Sequence, residues 1–289
     1  MITAVTTTGI FCRPGCPAAP LPANTVSHET TRAALWAGYR PCRRCHPLGA
    51  GSIASALELL EDVPGRPSPI LAAAGIDPDP IDRHLTTRHG VTLDGYGRAR
   101  RLAPLLRRAG GPAAQRPRVP GDGVVAQVIA TPLGPMLAAA SSRGICLLEF
   151  VERRMLETQL DIVERRIGKM VVGDTPLLAQ LRTELGEYFT GDRSAFSVAI
   201  EAPGTPFQER VWSELRRIPT GETRSYGELA GIVGAPSGAR AVARANGMNR
   251  VAIAIPCHRV IGADGALTGY AGGLDRKARL LRLEGALPA

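Results

Sequence analysis

The spacing of hydrophobic residues changes near residue 124 of this 289-residue chain. Before that point, apolar residues in 52–61 recur at intervals of three and four, which predicts a helix, and the prolines and aspartates at 77–80 suit the start of another. After it, short apolar runs at 124–131, 136–140 and 145–150 are separated by glycine and proline, which predicts strands. The chain therefore has two parts with different secondary structure.

The second part contains five further predicted helices and one further predicted strand. The helices lie at 154–168, at 176–188, from Pro206, from Ser225 and at 237–246, and the strand lies near 196–200. Residues 109–121 consist mostly of proline, glycine and alanine, which is typical of a flexible linker between the two parts.

Arginine supplies nearly all the positive charge of the chain. Lys169 and Lys277 are the two lysines among 35 basic residues, and the formal net charge is +9. A basic chain favours an anionic partner, and arginine binds phosphates and base edges through a planar fork, although a GC-rich genome would give the same bias. No long apolar segment and no secretion signal are visible, so we expect a cytoplasmic protein without a membrane partner.

Four of the six cysteines lie within the first 45 residues, in two pairs. Cys12 and Cys16 are separated by three residues, and Cys42 and Cys45 by two, with 25 residues between the pairs. This spacing is compatible with one zinc ion held by four thiolates. Metal binding would also stabilise a segment too short to build a large hydrophobic core.

A second candidate site follows the apolar run 251–255. Cys257 lies between Pro256 and His258, at the end of a segment that we expect to be a strand or extended chain leading into a turn. Only a thiolate is a strong nucleophile, and His258 could act as its base, directly or through a water. The alternative is a buried, inert cysteine, which is the usual state of an isolated thiol.

Several short motifs surround this cysteine in a fixed order. They are Ser225-Tyr226, Ala239-Arg240-Ala241-Val242-Ala243, Asn249, Pro256-Cys257-His258-Arg259-Val260, Gly269-Tyr270-Ala271-Gly272-Gly273 and Leu283-Glu284-Gly285. The series resembles the active-site domain of the O6-alkylguanine-DNA alkyltransferases, over residues 123–286. The resemblance implies irreversible, single-turnover transfer of a methyl group from O6-methylguanine, and also from O4-methylthymine, to the catalytic Cys257.

The same resemblance implies roles for the other motif residues. His258 is the base and Glu284 orients its imidazole, while Arg240 replaces the base that is flipped out of the duplex. The nucleotide is then held by a second set of residues. They are Tyr226, which helps rotate it, Asn249, which braces the turn, the Val260 backbone, which reads guanine, and Tyr270, which forms a pocket wall. An ordinary phosphate contact is the alternative for Arg240, and an exposed surface position is the alternative for Glu284.

Residues 7–14 and 38–45 resemble the N-terminal zinc domain of the Ada proteins. The resemblance implies zinc as the cofactor and Cys12 as a second, catalytic acceptor, which takes a methyl group from a methylphosphotriester in the DNA backbone. A purely structural zinc finger is the alternative. The family tends to place arginines after the second cysteine, whereas this chain has the proline-rich segment 17–22.

Residues 51–108 resemble one helix-turn-helix of the AraC-type regulators, with Gly75 in the turn and a second helix carrying Arg83 and Arg88. Such a motif places its second helix in the major groove. The alternative is a helical spacer without DNA contacts. The AraC-type unit normally has two such motifs, and only one is visible here.

The expected fold class is a multidomain α/β protein. The expected domains are a small zinc-bound α+β domain (1–50), a helical helix-turn-helix segment (51–108), a linker (109–121), an α/β subdomain of the alkyltransferase (122–203) and a helical DNA-binding active-site domain (204–289). We expect a monomer that repairs alkylated double-stranded DNA and is associated with the nucleoid when bound. The alternatives are a methylation-sensing regulator, with promoter DNA and RNA polymerase as partners, and a protein that binds lesions without reacting.

Overall fold

The computed structural model describes residues 1–18, 20–63, 66–109 and 123–288. These residues form two compact units, one within 1–111 and the other within 112–289. Each unit has its own sheet and helices, and the predicted linker falls largely on residues outside the described ranges. The mixture of sheets and helices confirms the multidomain α/β fold class.

The first unit begins with a small four-stranded sheet. Its strands are β1 (Ile2–Val5), β2 (Ile10–Cys12), β3 (Thr25–His28) and β4 (Arg40–Pro41), in the order β3-β1-β2-β4. Strand β2 pairs in parallel with β4, and the Cys42 amide donates to the Phe11 carbonyl at 3.0 Å. Because β2 ends at Cys12 and β4 leads into Cys42, this pairing brings the two cysteine pairs together.

Five helices complete the first unit. They are α1 (Thr31–Trp36), α2 (Ser52–Asp62), α3 (Pro67–Ala73), α4 (Pro78–His89) and α5 (Leu93–Ala109). Asp77 caps α4 by accepting from the Asp79 amide, and Gly90, at a φ of 63°, ends it. Gly75 adopts a φ of 72° in the turn between α3 and α4, as the predicted helix–glycine–helix arrangement requires.

Two histidines of α4 hold the loop that follows the second cysteine pair. His84 Nε2 and His89 Nε2 lie 2.9 and 3.0 Å from the Leu48 carbonyl oxygen, and each donates to it. His89 Nδ1 also lies 2.9 Å from the Thr31 hydroxyl, at the start of α1. Helix α4 is therefore fixed to the cysteine-bearing segment by hydrogen bonds of two side chains.

The second unit has a four-stranded sheet covered by helices. Its strands are β5 (Val124–Ile129), β6 (Met136–Ala140), β7 (Ile145–Phe150) and β8 (Met170–Val172), in the order β7-β6-β5-β8, with helices α6 (Leu156–Arg166) and α7 (Pro176–Thr190). Strand β8 pairs in parallel with β5, and the other pairs are antiparallel. Strands β6 and β7 are buried on both faces, which explains their continuous apolar sequences.

The remainder of this unit is mainly helical. Its elements are α8 (Pro206–Leu215), β9 (Arg224–Ser225), α9 (Tyr226–Ile232), α10 (Ala239–Gly247), β10 (Val260–Ile261) and α11 (Leu274–Leu283). Thr205 and Ser225 form capping boxes with Gln208 and Glu228, which fix the starts of α8 and α9. One hydrophobic core joins the helices to the sheet, and Cys257 lies at its edge.

The predicted strand at 196–200 is wrong. Within this segment only Ile200 forms a bridge, to Ile145 of β7. The amides of Ser197 and Val198 instead donate to the Glu184 carboxylate on α7, at 2.9 and 3.2 Å. Because a buried carboxylate uses these amides, they are not available to a neighbouring strand.

No helix in the described ranges is long and apolar enough to cross a membrane.

Candidate active site and metal centre

The segment before Cys257 reverses direction twice instead of running as the expected extended chain. The Ala254 amide donates to the Ala252 carbonyl at 2.9 Å, and Ile253 between them has a φ of 70°. This is a γ-turn of positive φ, a strained conformation that a β-branched residue rarely adopts. Pro256, at φ −82° and ψ 63°, forms an inverse γ-turn in which the Cys257 amide donates to Ile255.

Asn249 holds this double turn together. Its Nδ2 donates to the Ile255 carbonyl at 2.8 Å and to the Cys257 sulfur at 3.1 Å, while its Oδ1 accepts from the Val251 amide at 3.0 Å. The side chain therefore replaces the strand partners that the turn lacks. It also directs a donor at the Cys257 sulfur, a contact that the sequence did not predict.

Cys257 is buried, with 5% of its surface exposed. Burial raises the pKa of its thiol, while the hydrogen bond from Asn249 and the positive charges of Arg153 and Lys277 lower it. Burial outweighs the other effects, so the resting group is a thiol. A nucleophilic thiolate at this position requires a group that accepts the proton during the reaction.

His258 lies directly after the cysteine and is fully buried. Its Nε2 lies 2.9 Å from Glu284 Oε1 and donates to it, so Nδ1 is the proton-accepting atom. Nδ1 has no hydrogen-bond partner among the described residues. Burial lowers the pKa of His258 although Glu284 raises it, so the imidazole is neutral and able to accept a proton.

Glu284 follows the last residue of α11 and anchors this arrangement. Arg259 donates to both of its oxygens at 2.8 Å, and the Tyr188 hydroxyl donates to Oε1 at 2.7 Å. Burial raises the pKa of Glu284, but the bonds from His258 and Arg259 outweigh it and lower the pKa to about 2. The carboxylate is thus a buried group that is ionised at neutral pH, not the exposed surface residue of the alternative interpretation.

The remaining predicted site residues surround the turn. Tyr226 starts α9, and its hydroxyl lies 3.4 Å from the Thr268 carbonyl oxygen. The Tyr270 ring stands edge-on to His258, with 6.4 Å between ring centroids. Val260 is fully buried and its amide donates to Cys257, whereas Arg240 lies exposed on α10.

Besides Tyr188, the buried cations Lys277 and Arg153 belong to the site and were not predicted from the sequence. Lys277 is fully buried on α11, and its Nζ donates to the carbonyls of Val260 and Thr268, each at 2.5 Å. Arg153 is buried between β7 and α6 and donates to the Asn249 carbonyl at 2.6 Å. One signal for Lys277 was available, because a lysine is conspicuous in a chain whose basic residues are nearly all arginine.

The four N-terminal cysteines form the metal centre of the first unit. The sulfur atoms of Cys12, Cys16, Cys42 and Cys45 all lie within 4.8 Å of one another. Burial and the neighbouring thiols raise the pKa of Cys12, and burial raises that of Cys45 to about 11. Four sulfurs at this separation fit one zinc ion, whose charge would offset the repulsion between thiolates.

Comparisons with known proteins agree with both sites. Residues 1–47 match the family described as the metal binding domain of Ada. Residues 124–202 and 206–286 match the ribonuclease-like domain and the DNA binding domain of 6-O-methylguanine DNA methyltransferase. The regulatory protein Ada of Salmonella typhimurium is 35% identical over 98% of this chain and 91% of its own length. The chain belongs to the Ada family.

Other relatives match the second unit of this Ada-family chain. The methylated-DNA–protein-cysteine methyltransferase of Mycobacterium leprae is 44% identical over 53% of the chain and 88% of its own length. A crystal structure of Mycobacterium tuberculosis OGT in complex with DNA is 40% identical over 57% of the chain and 93% of its own length, with a TM-score of 0.48.

Family membership confirms several predictions made from the sequence. The chain is a DNA-binding cysteine methyltransferase, and zinc is its cofactor. The helix-turn-helix resemblance of residues 51–108 lies outside the three matched ranges and stays a prediction. The individual roles of the site residues also stay predictions.

The metal centre predicts one zinc ion per chain. Replacing Cys45 with alanine removes one of the four ligands, so we expect the purified protein to lose its zinc. The variant also loses the about 10–16 kcal/mol that structural zinc contributes to the folding of such modules. Elemental analysis after dialysis measures the metal content. Cys146→Ala, in β7 of the second unit, is the matched control and retains one ion; equal zinc in both variants would contradict the four-cysteine site.

The low pKa of Glu284 predicts a stability that depends on pH. Glu284→Gln leaves Arg259 without its anion and should destabilise the second unit at pH 7 by about 3–5 kcal/mol. Because the folded pKa lies below the usual value near 4.3, the wild-type advantage is complete above pH 5 and shrinks as the pH falls toward 2.

Hydrogen exchange of α8 and α11, measured by mass spectrometry at pH 7 and pH 3.5, tests this dependence. Glu222→Gln removes a half-exposed carboxylate paired with Arg224 and should change exchange little at either pH. If Glu284→Gln loses the same amount of exchange protection at both pH values, the assignment of an ionised, buried carboxylate is wrong.

Proposed function

We propose that the protein repairs O6-methylguanine, and also O4-methylthymine, in double-stranded DNA by transferring the methyl group to Cys257. The observation that carries this proposal is the buried sulfur held at 3.1 Å by the Asn249 amide, directly before the His258–Glu284 pair. A nucleophile, a neutral base and an anion that orients the base are the parts that such a transfer needs.

The bonds made and broken balance without an organic cofactor. The Cys257 sulfur attacks the methyl carbon, and the bond between that carbon and guanine O6 breaks. The thiol proton passes to His258 Nδ1, directly or through a water, and guanine leaves as an anion that takes up the one proton the imidazolium gives back, directly or through water. The product is a thioether, which no neighbouring group can hydrolyse, so each chain reacts once.

The substrate base must leave the duplex to reach a sulfur that is buried in the protein. We infer that α10 lies in the minor groove, with the exposed Arg240 filling the space of the flipped base. Tyr226 and Tyr270 then form walls of the base pocket. The Val260 carbonyl, which already accepts from Lys277, retains a second lone pair for the guanine edge.

Cys12 is proposed as a second acceptor, for methylphosphotriesters. Zinc held by Cys12, Cys16, Cys42 and Cys45 would keep the four sulfurs deprotonated, which would supply a nucleophile without a neighbouring base. Cys12 is 3% exposed and ends β2, next to the exposed Arg13. The alternative, a structural zinc finger, needs the same four ligands but no methyl transfer.

Mass spectrometry of the protein after reaction tests both acceptors. With duplex DNA carrying O6-methylguanine, the wild type should gain one methyl group on the peptide containing Cys257, and Cys257→Ala should gain none. With DNA carrying methylphosphotriesters, the methyl group should appear at Cys12 and be absent in Cys12→Ala. Transfer of many methyl groups per chain, or none at Cys257, would overturn the repair proposal.

A regulatory function is the second candidate, favoured by the attachment of α4 to the cysteine-bearing loop through His84 and His89. Zinc with four thiolates carries a charge of about −2, which repels phosphate, and methylation of Cys12 removes one negative charge. The methylated protein would then bind promoter DNA as a monomer, with α4 in the major groove and RNA polymerase as a further partner.

Salt dependence of DNA binding tests this candidate. Methylation at Cys12 should strengthen binding to duplex DNA, and each additional phosphate bound should steepen the slope of log K against log salt by about 0.9. Wild-type protein treated with unmethylated duplex DNA is the control and should show no change. Equal affinity and slope before and after methylation would leave the protein as a repair enzyme only.

A further inference from the structure

Arg153 connects three parts of the second unit that the reaction uses. It lies in the turn between β7 and α6 and is 3% exposed. Its Nη1 donates to the Asn249 carbonyl at 2.6 Å, and its Nη2 donates to the Gly247 carbonyl at 2.7 Å. It also pairs with Glu149 of β7, whose side chain is 2% exposed.

The two carbonyls belong to the end of α10. Gly247 is the last residue of that helix, so its carbonyl has no partner within the helix and is favoured by a cation. Asn249 follows two residues later and carries the amide that donates to the Cys257 sulfur. One planar guanidinium thus contacts both the end of α10, the helix that carries Arg240, and the residue that contacts the nucleophile.

The pairing with Glu149 gives this fork a fixed position. Strand β7 is an edge strand of the four-stranded sheet, and its Leu148 bonds on both sides of Val251: its amide donates to the Arg250 carbonyl and its carbonyl accepts from the Ala252 amide, each at 2.8 Å. The Glu149–Arg153 pair therefore adds a second set of contacts between β7 and the segment that follows α10. An isolated buried arginine would be costly, so the carboxylate is needed to keep the guanidinium in place.

We propose that Arg153, held by Glu149, is a positioning residue that sets the Asn249 amide against the Cys257 sulfur and couples this contact to helix α10. The proposal rests on the proposed role of Cys257 as methyl acceptor. Arg153 would act through the Asn249 backbone, whose carbonyl accepts from its Nη1.

The electrostatics of the site agree with this geometry. After the hydrogen bond from Asn249, the charge of Arg153 is the next influence that lowers the pKa of Cys257. Other titratable groups around the sulfur are His258, Tyr226, Tyr270 and Lys277. Variants of Arg153 and Glu149 leave all four unchanged.

Three variants of the full chain separate positioning from stability. Glu149→Leu combined with Arg153→Met removes both charges, so no unpaired charge stays buried and the fold should be retained. Arg153→Lys keeps the charge but replaces the two-pronged fork with a single ammonium. Arg154→Met, at the exposed neighbouring arginine, is the matched control.

Two readouts are measured on each variant. The first is the rate of methyl transfer from O6-methylguanine DNA; the second is the pH midpoint for alkylation of Cys257 by iodoacetamide, followed on its peptide without DNA. Because a displacement of about 1 Å costs about 100-fold in rate, we expect a loss of about 10- to 100-fold in the double variant and a smaller loss in Arg153→Lys. The pH midpoint should rise in the double variant and stay near wild type in Arg153→Lys and Arg154→Met.

Wild-type transfer rates in Arg153→Lys and in the folded double variant would overturn the proposal. A rate loss that merely follows the unfolded fraction, with the pH midpoint unchanged, would assign Arg153 a structural role only and would also overturn it. If the double variant does not fold, the transfer rate of Arg153→Lys alone tests the proposal, and a wild-type rate overturns it. Absence of methyl transfer in the wild type would refute the proposed function instead, and the iodoacetamide profile would still test Arg153.

Discussion

Burying a thiol away from water disfavours its ionised form, and the groups around Cys257 partly offset this effect of burial. The sulfur receives one hydrogen bond, from Asn249, and lies in the field of Arg153 and Lys277. These influences reduce the cost of ionisation without abolishing it, so the thiol keeps its proton until a base removes it. A resting thiol resists adventitious alkylation and oxidation, which matters for a group that can react only once.

The same constraint explains why so many charges are buried in the second unit. Glu284 holds His258 in one tautomer, and Arg259 keeps Glu284 ionised by donating to both of its oxygens. Each charge has a partner, so the network adds little net stability but allows only one arrangement of the imidazole. The strained turn at Ile253 is held in the same way, by the bonds that Asn249 makes on either side of it.

Local features of the sequence predicted most helices and strands, but they could not predict polar contacts between residues that are far apart in the sequence. The sequence itself shows three such features: helix-capping residues such as Thr205 and Ser225, the spacing of the four cysteines, and the order of motifs around Cys257. Arg153 meets Asn249 across 96 residues, and no local pattern signals such a pair. The strand expected at 196–200 failed because Glu184, on the preceding helix, accepts hydrogen bonds from the amides of Ser197 and Val198.

The two proposed acceptors, Cys12 and Cys257, would be activated by different physical means, and this difference has a structural consequence. In the first unit a metal ion would keep the sulfurs deprotonated, so Cys12 needs no base, and the paired strands β2 and β4 need only bring four cysteines together. In the second unit, ionisation of Cys257 depends on a base and on donors contributed by the turn after β7, the segment after α10 and helix α11. The metal-based acceptor therefore fits in a segment of about fifty residues, whereas the base-assisted acceptor requires a complete folded core around it.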